Sequence, residues 1–324
     1  MQALYPLKLL GVTKTPIWGG TRLLKDWNKT SEKETVGESW ELTVRPQEMC
    51  RVTGGALNGK TLGELIDVYG RELTGAEWGA EDFPLLIKLI DAQDSLSVQV
   101  HPDDSYAARV ENDRGKTEMW YIVEADEGAE LICGFADGVS REDFAAAVAN
   151  GKIGDALRHQ SVKAGETYFI PAGLTHAIGK GILIAEIQQN CDLTYRVYDY
   201  DRRQPDGSLR ELHVGKALDV SRPFTEDEID AIRYARTGGK AEKEGILADC
   251  AYFRVEKLTV EKGSEQTVGQ KGYMRHLLCI AGEGELLCNA ETYSVKKGES
   301  WLLPACLDGV TVKGELTLIL SNAS

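Results

Sequence analysis

The segment Gly165-Glu-Thr-Tyr-Phe-Ile-Pro171-Ala-Gly173-Leu-Thr-His176 decides the fold. Its first glycine predicts the start of a strand, and Pro171 predicts the end, because proline cannot donate to a sheet ladder. The Pro-x-Gly sequence is typical of a tight turn, and such a turn fixes the direction of the histidine that follows. The side chains that His176 meets therefore determine the chemistry of this segment.

Two upstream segments supply side chains that could meet His176. The segment 95–102 alternates polar and apolar residues, and Lys116 is separated by one residue from Glu118. Residues i and i+2 of a strand share a face, so Ser97 is expected on the same face as the next two polar residues. Two imidazoles, one carboxylate and one amide on strands predict a metal site, with the ligands Gln99, His101, Glu118 and His176.

Composition limits the class of protein. The chain has 324 residues, which predicts about two domains. Its net charge of −14 argues against a nucleic-acid partner but permits an anionic small substrate at a few focused cations. We find no signal peptide and no membrane span, and the seven scattered cysteines form no CxxC pair. We therefore expect a cytoplasmic protein with reduced thiols.

The C-terminal part repeats the central part. Residues 163–172 match residues 296–305, and residues 127–133 resemble residues 283–288. Equal counting places Gly309 at the position of His176 and Met274 at that of Glu118. The repeat therefore predicts one fold built twice with ligands only in the first copy, and we interpret His276 as an ordinary strand residue.

The repeat and the helix signals predict the domain limits. Residues 1–240 form the catalytic domain, with a connector and a helical insertion at about 138–160 that begins at Ser140. Residues 241–324 form a second domain without metal ligands. The best linker candidate is residues 237–240.

Four motifs in order resemble a known family. They are Phe83 to Lys88, Leu96 to Pro102, Lys116 to Trp120 and Ile170 to His176. The first histidine strand and the Gly-x5-Pro-x-Gly-x2-His segment resemble the two motifs of the cupin barrel. Together the four motifs resemble the class I mannose-6-phosphate isomerases, in their short bacterial form. The resemblance implies a mainly β fold of tandem cupin (jelly-roll) barrels with a small helical insertion.

The resemblance also implies roles for individual residues. It implies one Zn²⁺ per chain, held by the four ligands above, and interconversion of mannose 6-phosphate and fructose 6-phosphate. Arg196 falls at the catalytic arginine of the family. Asp192 and Lys116 fall at positions proposed for proton transfer or substrate contact, and Lys88 at a basic position near the site. The candidate substrate-binding residues are Lys88, Ser97, Lys116 and Arg196.

Isomerisation of an aldose to a ketose moves a proton between C1 and C2 through an enediolate. A Lewis-acid metal and a nearby guanidinium lower the cost of its negative charge. Asp192, Glu186 or a metal-bound water could be the base, and the residues leave this choice open. Lys88, Lys116, Arg196 and Arg202 are the cations available for the phosphate.

Two other functions compete with an isomerase. Two histidines and one carboxylate also suit a non-haem iron oxygenase. A non-enzymatic sugar-phosphate sensor on the same fold is the third hypothesis. We expect a monomer or a homodimer.

Overall fold

The computed structural model describes residues 2–233 and 245–324, and strands dominate its secondary structure. The mainly β prediction is confirmed. Contacts divide the chain into two compact units. Unit 1 comprises Met1–Lys14, Arg22–Leu89 and Ala241–Ser324, and unit 2 comprises Thr15–Thr21 and Ile90–Lys240. The linker predicted at 237–240 lies outside the described residues, and the domain division at 240/241 stays a prediction.

The N-terminal part of the chain has short elements. They are β1 (Leu7–Leu10), β2 (Val12–Lys14), α1 (Arg22–Lys25), β3 (Glu38–Leu42), β4 (Val44–Arg45), β5 (Glu48–Met49), β6 (Arg51–Val52), α2 (Leu62–Tyr69), α3 (Arg71–Thr74) and β7 (Leu85–Ala92). Helix α2 begins at a capping box in which Thr61 and Glu64 each bond the backbone of the other.

The central part carries most of unit 2. Its elements are β8 (Val98–Val100), α4 (Asp104–Val110), β9 (Glu118–Ala125), β10 (Glu130–Phe135), α5 (Arg141–Ala149), a 3₁₀ helix (Ile153–Ala156), β11 (Leu157–Ser161), β12 (Thr167–Ile170), β13 (His176–Ile178), β14 (Ile182–Gln189), β15 (Tyr195–Tyr198), α6 (Val214–Val220) and α7 (Glu226–Arg233).

The C-terminal part of unit 1 is made of strands. They are β16 (Ile246–Asp249), β17 (Phe253–Val260), β18 (Glu265–Thr267), β19 (Arg275–Cys288), β20 (Glu291–Lys296), β21 (Ser300–Leu303) and β22 (Thr311–Ala323). None of the helices in residues 2–233 and 245–324 has the length and apolar character needed to cross a membrane.

Two sets of paired strands in unit 2 carry the predicted ligands. One sheet has the order β11-β10-β13-β8-β15, and β9 pairs with β12 on one side and β14 on the other. In the first sheet His176 is directly opposite Gln99, which is in turn opposite Arg196. In the second, Glu118 is opposite Gln188. Directly paired residues point to the same face, so these registers group the polar side chains.

The helical insertion is shorter than predicted. Helix α5 starts where expected, at a capping box between Ser140 and Asp143. The helical interpretation is wrong for residues 157–160, because Leu157–Ser161 forms strand β11, which pairs with β10. A partner strand decides the structure of this segment, and its local sequence does not reveal that partner.

The sheet of unit 1 buries an apolar interior. Its strand order is β16-β17-β22-β19-β21-β1-β6, with β18 on β22 and β20 on β19. Leu277 is opposite Trp301 and Leu320, and all three belong to one buried apolar cluster. Apolar side chains therefore occupy the face that corresponds to the ligand-bearing face of the first copy.

The strand register corrects one detail of the internal repeat. Ile170 of β12 pairs with Glu118, and Leu303, its counterpart in β21, pairs with Arg275. The counterpart of Glu118 is therefore Arg275, and the count that gave Met274 is wrong by one residue. Glu127 and Gly128 lie in a turn, whereas residues 283–285 lie inside the continuous strand β19. The second copy still lacks the carboxylate.

Candidate metal centre

Two buried histidines face the same point with one nitrogen each. His101 donates from Nδ1 to the carbonyl of Leu193 at 2.8 Å, and His176 donates from Nδ1 to the carbonyl of Leu174 at 2.8 Å. These bonds place the proton on Nδ1 and leave Nε2 with its lone pair. A metal-binding histidine is held in this way, with a backbone acceptor on the nitrogen that does not bind the ion.

Glu118 completes a triangle of donor atoms. Its Oε2 lies 3.6 Å from Nε2 of His101, and its Oε1 lies 3.6 Å from Nε2 of His176. Two ligands about 2.1 Å from a shared tetrahedral ion would be about 3.4 Å apart. The three residues are buried, and their ligand atoms all lie within 4.8 Å of one another. This donor set fits a divalent cation.

Charge and burial favour metal binding over a charged histidine. Burial lowers the pKa of His176 to about 4, although the backbone bond to Leu174 opposes this effect. The imidazole is therefore neutral near pH 7, as a ligand must be. The Lys116 ammonium lies 2.8 Å from Oε2 of Glu118 and 3.0 Å from Nε2 of His101. Lys116 therefore supplies a positive charge against the carboxylate.

The predicted amide ligand lies between a metal ligand and the predicted catalytic arginine. Gln99 is opposite His176 on one side and Arg196 on the other. Ser97 donates to Oε1 of Gln99 at 3.2 Å, and Nε of Arg196 donates to Oγ of Ser97 at 3.3 Å. Burial and the nearby Arg210 lower the pKa of the Arg196 guanidinium. The register thus brings Ser97, Gln99 and Arg196 beside the triangle.

The two candidate bases lie in different surroundings. Glu186 is buried, and its Oε2 accepts a hydrogen bond of 3.1 Å from the indole of Trp120. The Trp120 ring lies edge-on to His176, with centroids 5.3 Å apart. Asp192 lies in the turn after β14 and is exposed. Glu186 is therefore fixed in orientation beside the centre, whereas Asp192 faces solvent.

Lys88 lies in unit 1, among aromatic and acidic neighbours. It is buried, its Nζ lies 3.9 Å from Glu38, and it is 4.9 Å from the centre of the Trp40 ring. The indole of Trp40 also donates to Glu38 at 2.7 Å. These contacts stabilise a buried ammonium, and its predicted role in substrate binding stays a prediction.

Arg202, a further candidate for the phosphate, is held by Asp199. The distance from its Nη2 to the carboxylate is 2.7 Å, and Arg210 contacts the same carboxylate. Arg202 also lies 3.6 Å from a carboxylate oxygen of Asp94, so the two guanidinium groups are balanced by two carboxylates.

Sequence reasoning missed the residues that hold the ligands in place. The carbonyls of Leu174 and Leu193 carry no side-chain signal. Trp120 and Gln188 could have been found from the strand period. Trp120 is two residues after Glu118, and Gln188 is two residues after Glu186, so each shares a strand face with a candidate carboxylate.

Comparisons with known proteins agree with this geometry. A family model described as "Phosphomannose isomerase type I, catalytic domain" matches residues 7–135, and one described as "Mannose-6-phosphate isomerase, cupin domain" matches residues 243–323. The description of the second model agrees with the predicted cupin fold of the C-terminal part.

Two relatives match over nearly the full length. "Mannose-6-phosphate isomerase ManA" of Bacillus subtilis is 38% identical over 322 residues, covering 98% of each chain. "Mannose-6-phosphate isomerase" of Streptococcus mutans is 37% identical over 319 residues, again covering 98% of each. The crystal structure of the mannose 6-phosphate isomerase from Bacillus subtilis superimposes with a TM-score of 0.87 at 36% identity, covering 98% of this chain and 99% of that one.

Proposed function

This chain belongs to the mannose-6-phosphate isomerase family, and we propose that it interconverts mannose 6-phosphate and fructose 6-phosphate at the centre formed by His101, Glu118 and His176. The observation that carries the proposal is the paired orientation of the two histidines. In each histidine Nδ1 donates to a backbone carbonyl, and Nε2 lies 3.6 Å from an oxygen of the same buried carboxylate.

We propose Zn²⁺ as the ion, one per chain, with Gln99 as a fourth ligand. Zinc binds imidazole nitrogens and carboxylate oxygens, and the amide oxygen of Gln99 would be a further neutral oxygen ligand. When bound, the ion supplies Lewis-acid stabilisation of negative charge on the sugar oxygens. The chain itself must then bind the sugar, orient it and move a proton.

Arg196 and Lys116 are the cations placed to stabilise developing charge. Arg196 is oriented by Ser97 and by the carbonyl of Glu211, to which it donates at 2.9 Å. A fixed guanidinium lowers the barrier without reorganising during the reaction. Lys116 lies against the metal-site carboxylate, and we propose it as a second donor to a substrate oxygen.

Glu186 and Asp192 are the two candidates for proton transfer between C1 and C2. Glu186 has the fixed position that efficient transfer needs, whereas Asp192 lies in a turn that a bound sugar could contact. Exchanging each for its amide separates them. The base variant, Glu186→Gln or Asp192→Asn, should lose most of kcat, and the other should change mainly KM.

We propose that the protein acts in the cytoplasm on a sugar phosphate, as a monomer or homodimer, without a nucleic-acid partner. The net charge of −14 supports the last point, since nucleic-acid binding needs a basic surface. Size measurement in solution at several protein concentrations distinguishes the two oligomeric states.

A coupled assay tests the function directly. Fructose 6-phosphate formed from mannose 6-phosphate is converted enzymatically and followed as reduced nicotinamide, in air and under nitrogen. We expect equal turnover in both atmospheres. Oxygen-dependent loss of mannose 6-phosphate without formation of fructose 6-phosphate would support the iron oxygenase. Saturable binding of mannose 6-phosphate without turnover would support the sensor, and either result would contradict the isomerase.

A further inference from the structure

Gln188 lies at the centre with no role assigned by the proposed reaction. It is fully buried on β14, directly opposite Glu118 on β9, and shares a strand face with Glu186. Directly opposed side chains of an antiparallel pair have Cβ atoms about 5 Å apart. The amide of Gln188 therefore lies beside the carboxylate that the metal would bind.

The hydrogen bonds of Gln188 determine which way its amide points. Nε2 donates to the carbonyl of Gln189 at 2.8 Å and to the carbonyl of Cys191 at 2.5 Å. A rotated amide would press its oxygen against both of these carbonyl oxygens, so only one orientation is compatible with them. Both N–H donors are thus used, and Oε1 is held in a fixed direction.

The oxygen of this amide is buried and has no hydrogen-bond partner among the described residues. Buried polar atoms in folded proteins are nearly always satisfied, so a rigidly held acceptor without a donor indicates a missing O–H or N–H group. The acceptor lies on the face that carries Glu118 and Glu186, where a sugar would bind. We propose that Gln188 is a substrate-binding residue, with Oε1 accepting a hydrogen bond from the hydroxyl at C3 or C4 of the sugar phosphate.

The identity of the hydroxyl donor rests on the proposed function. The two hydroxyls chosen do not react, so a contact to one of them orients the sugar and selects among sugars without entering the chemistry. A site that hydrogen-bonds a hydroxyl rejects an analogue without it, because the buried acceptor is then left unpaired. Gln188 would thereby contribute to specificity.

A purely structural role is the alternative. Gln188 holds the turn 189–191, and two residues later the carbonyl of Leu193 fixes His101. Gln189 anchors the same turn from the other face of the strand, with Oε1 accepting from the backbone of Thr117 at 2.8 Å and Nε2 donating to Asp104 at 3.0 Å. Gln189→Met is therefore a matched control, because it loosens the turn without removing an acceptor from the site.

The test measures kcat/KM of the zinc-loaded enzyme for mannose 6-phosphate and for its 3-deoxy and 4-deoxy analogues. In the unaltered enzyme, loss of this hydrogen bond should lower kcat/KM for one of the two analogues about tenfold or more. Any other effect of the missing hydroxyl adds to this loss. Gln188→Met should lose about tenfold discrimination against that analogue. Gln189→Met should lower all three values by the same factor.

Two results would overturn the assignment. One is an equal loss for all three sugars in Gln188→Met, which would assign the residue to the turn or to an ordered water. The other is unaltered enzyme that treats both analogues like mannose 6-phosphate. Absence of any turnover of mannose 6-phosphate by the unaltered enzyme would instead refute the proposed function. Zinc content and circular dichroism identify a variant that has lost the ion or the fold.

Discussion

The buried histidine of the second copy should make stability depend on pH. His276 lies on β19, opposite Ser321 and Leu302, on the face turned away from the apolar interior. It is buried, and neither ring nitrogen has a hydrogen-bond partner of good geometry within the described part of the chain. Burial, followed by the nearby charge of Lys29, lowers the pKa of His276 from 6.5 to about 3.

The sign and size of the effect follow from this shift. The folded pKa lies below the unfolded one, so between pH 6.5 and 3 the unfolded chain binds more protons and stability falls as the pH falls. At pH 5 the unfolded histidine is protonated and the folded one is neutral. Since pH 5 lies about 1.5 units below the unfolded pKa, the unfolding free energy is lower there by about 2 kcal/mol.

Denaturant unfolding of unaltered protein and of His276→Gln at pH 7.5, 6 and 5 measures this contribution. Going from pH 7.5 to 5, the unaltered protein should lose about 2 kcal/mol more than the variant, whatever the offset between them at pH 7.5. Carboxylates titrate in both proteins and cancel in the difference. Parallel profiles for the unaltered protein and His276→Gln would refute the reasoning.

Three further changes have defined outcomes. Arg196→Ala should lower kcat about 100-fold or more while zinc content stays at one per chain; loss of zinc with an unchanged rate per ion would contradict its role. Lys116→Met should lower the unfolding free energy of the zinc-free protein by about 3 kcal/mol, since it leaves a buried carboxylate uncompensated, and zinc should restore most of this loss; equal losses with and without zinc would argue against it. Gly165→Ala should cost about 1–2 kcal/mol for a positive φ alone. Gly298→Ala at the matching turn should cost more, because its Cβ would lie 2.2 Å from the carbonyl oxygen of Trp27; equal costs in thermal unfolding would contradict the structure.

The sequence predicted the parts of the centre that side-chain chemistry reveals. Alternation on a strand grouped Ser97, Gln99 and His101, and the Pro-x-Gly turn marked His176. The structure brings His101 and His176 together with Glu118, as expected. The predicted fold class came from the resemblance that these motifs carry, and the internal repeat predicted that one fold is built twice.

The remainder depends on pairing between distant strands. Residues 157–161 form a strand because they pair with β10. The spacing of apolar residues within the segment carries no information about that distant partner. Arg275 replaces Met274 as the counterpart of Glu118 because the second copy continues as one strand where the first makes a turn. The carbonyls that orient His101 and His176 belong to the backbone, so the amino-acid types at those positions do not predict them.

The sequence predicts the position of the Gln188 amide but not its orientation. Its position on the face of Glu186 is readable from the spacing, but its fixed orientation depends on two carbonyls at the end of β14. Only the folded chain shows that one of its polar atoms is unsatisfied.

Zinc content tests the central claim most directly. Unaltered protein, His101→Ala, Glu118→Gln, His176→Ala and the control His276→Ala are purified without added metal, loaded with zinc, desalted and analysed by mass spectrometry of the ion. We predict one zinc per chain in the unaltered protein and in His276→Ala, and a loss of most bound zinc in each of the other three while the far-ultraviolet circular dichroism is unchanged. Full zinc retention by His101→Ala, Glu118→Gln and His176→Ala would contradict the assignment of these residues as the metal centre.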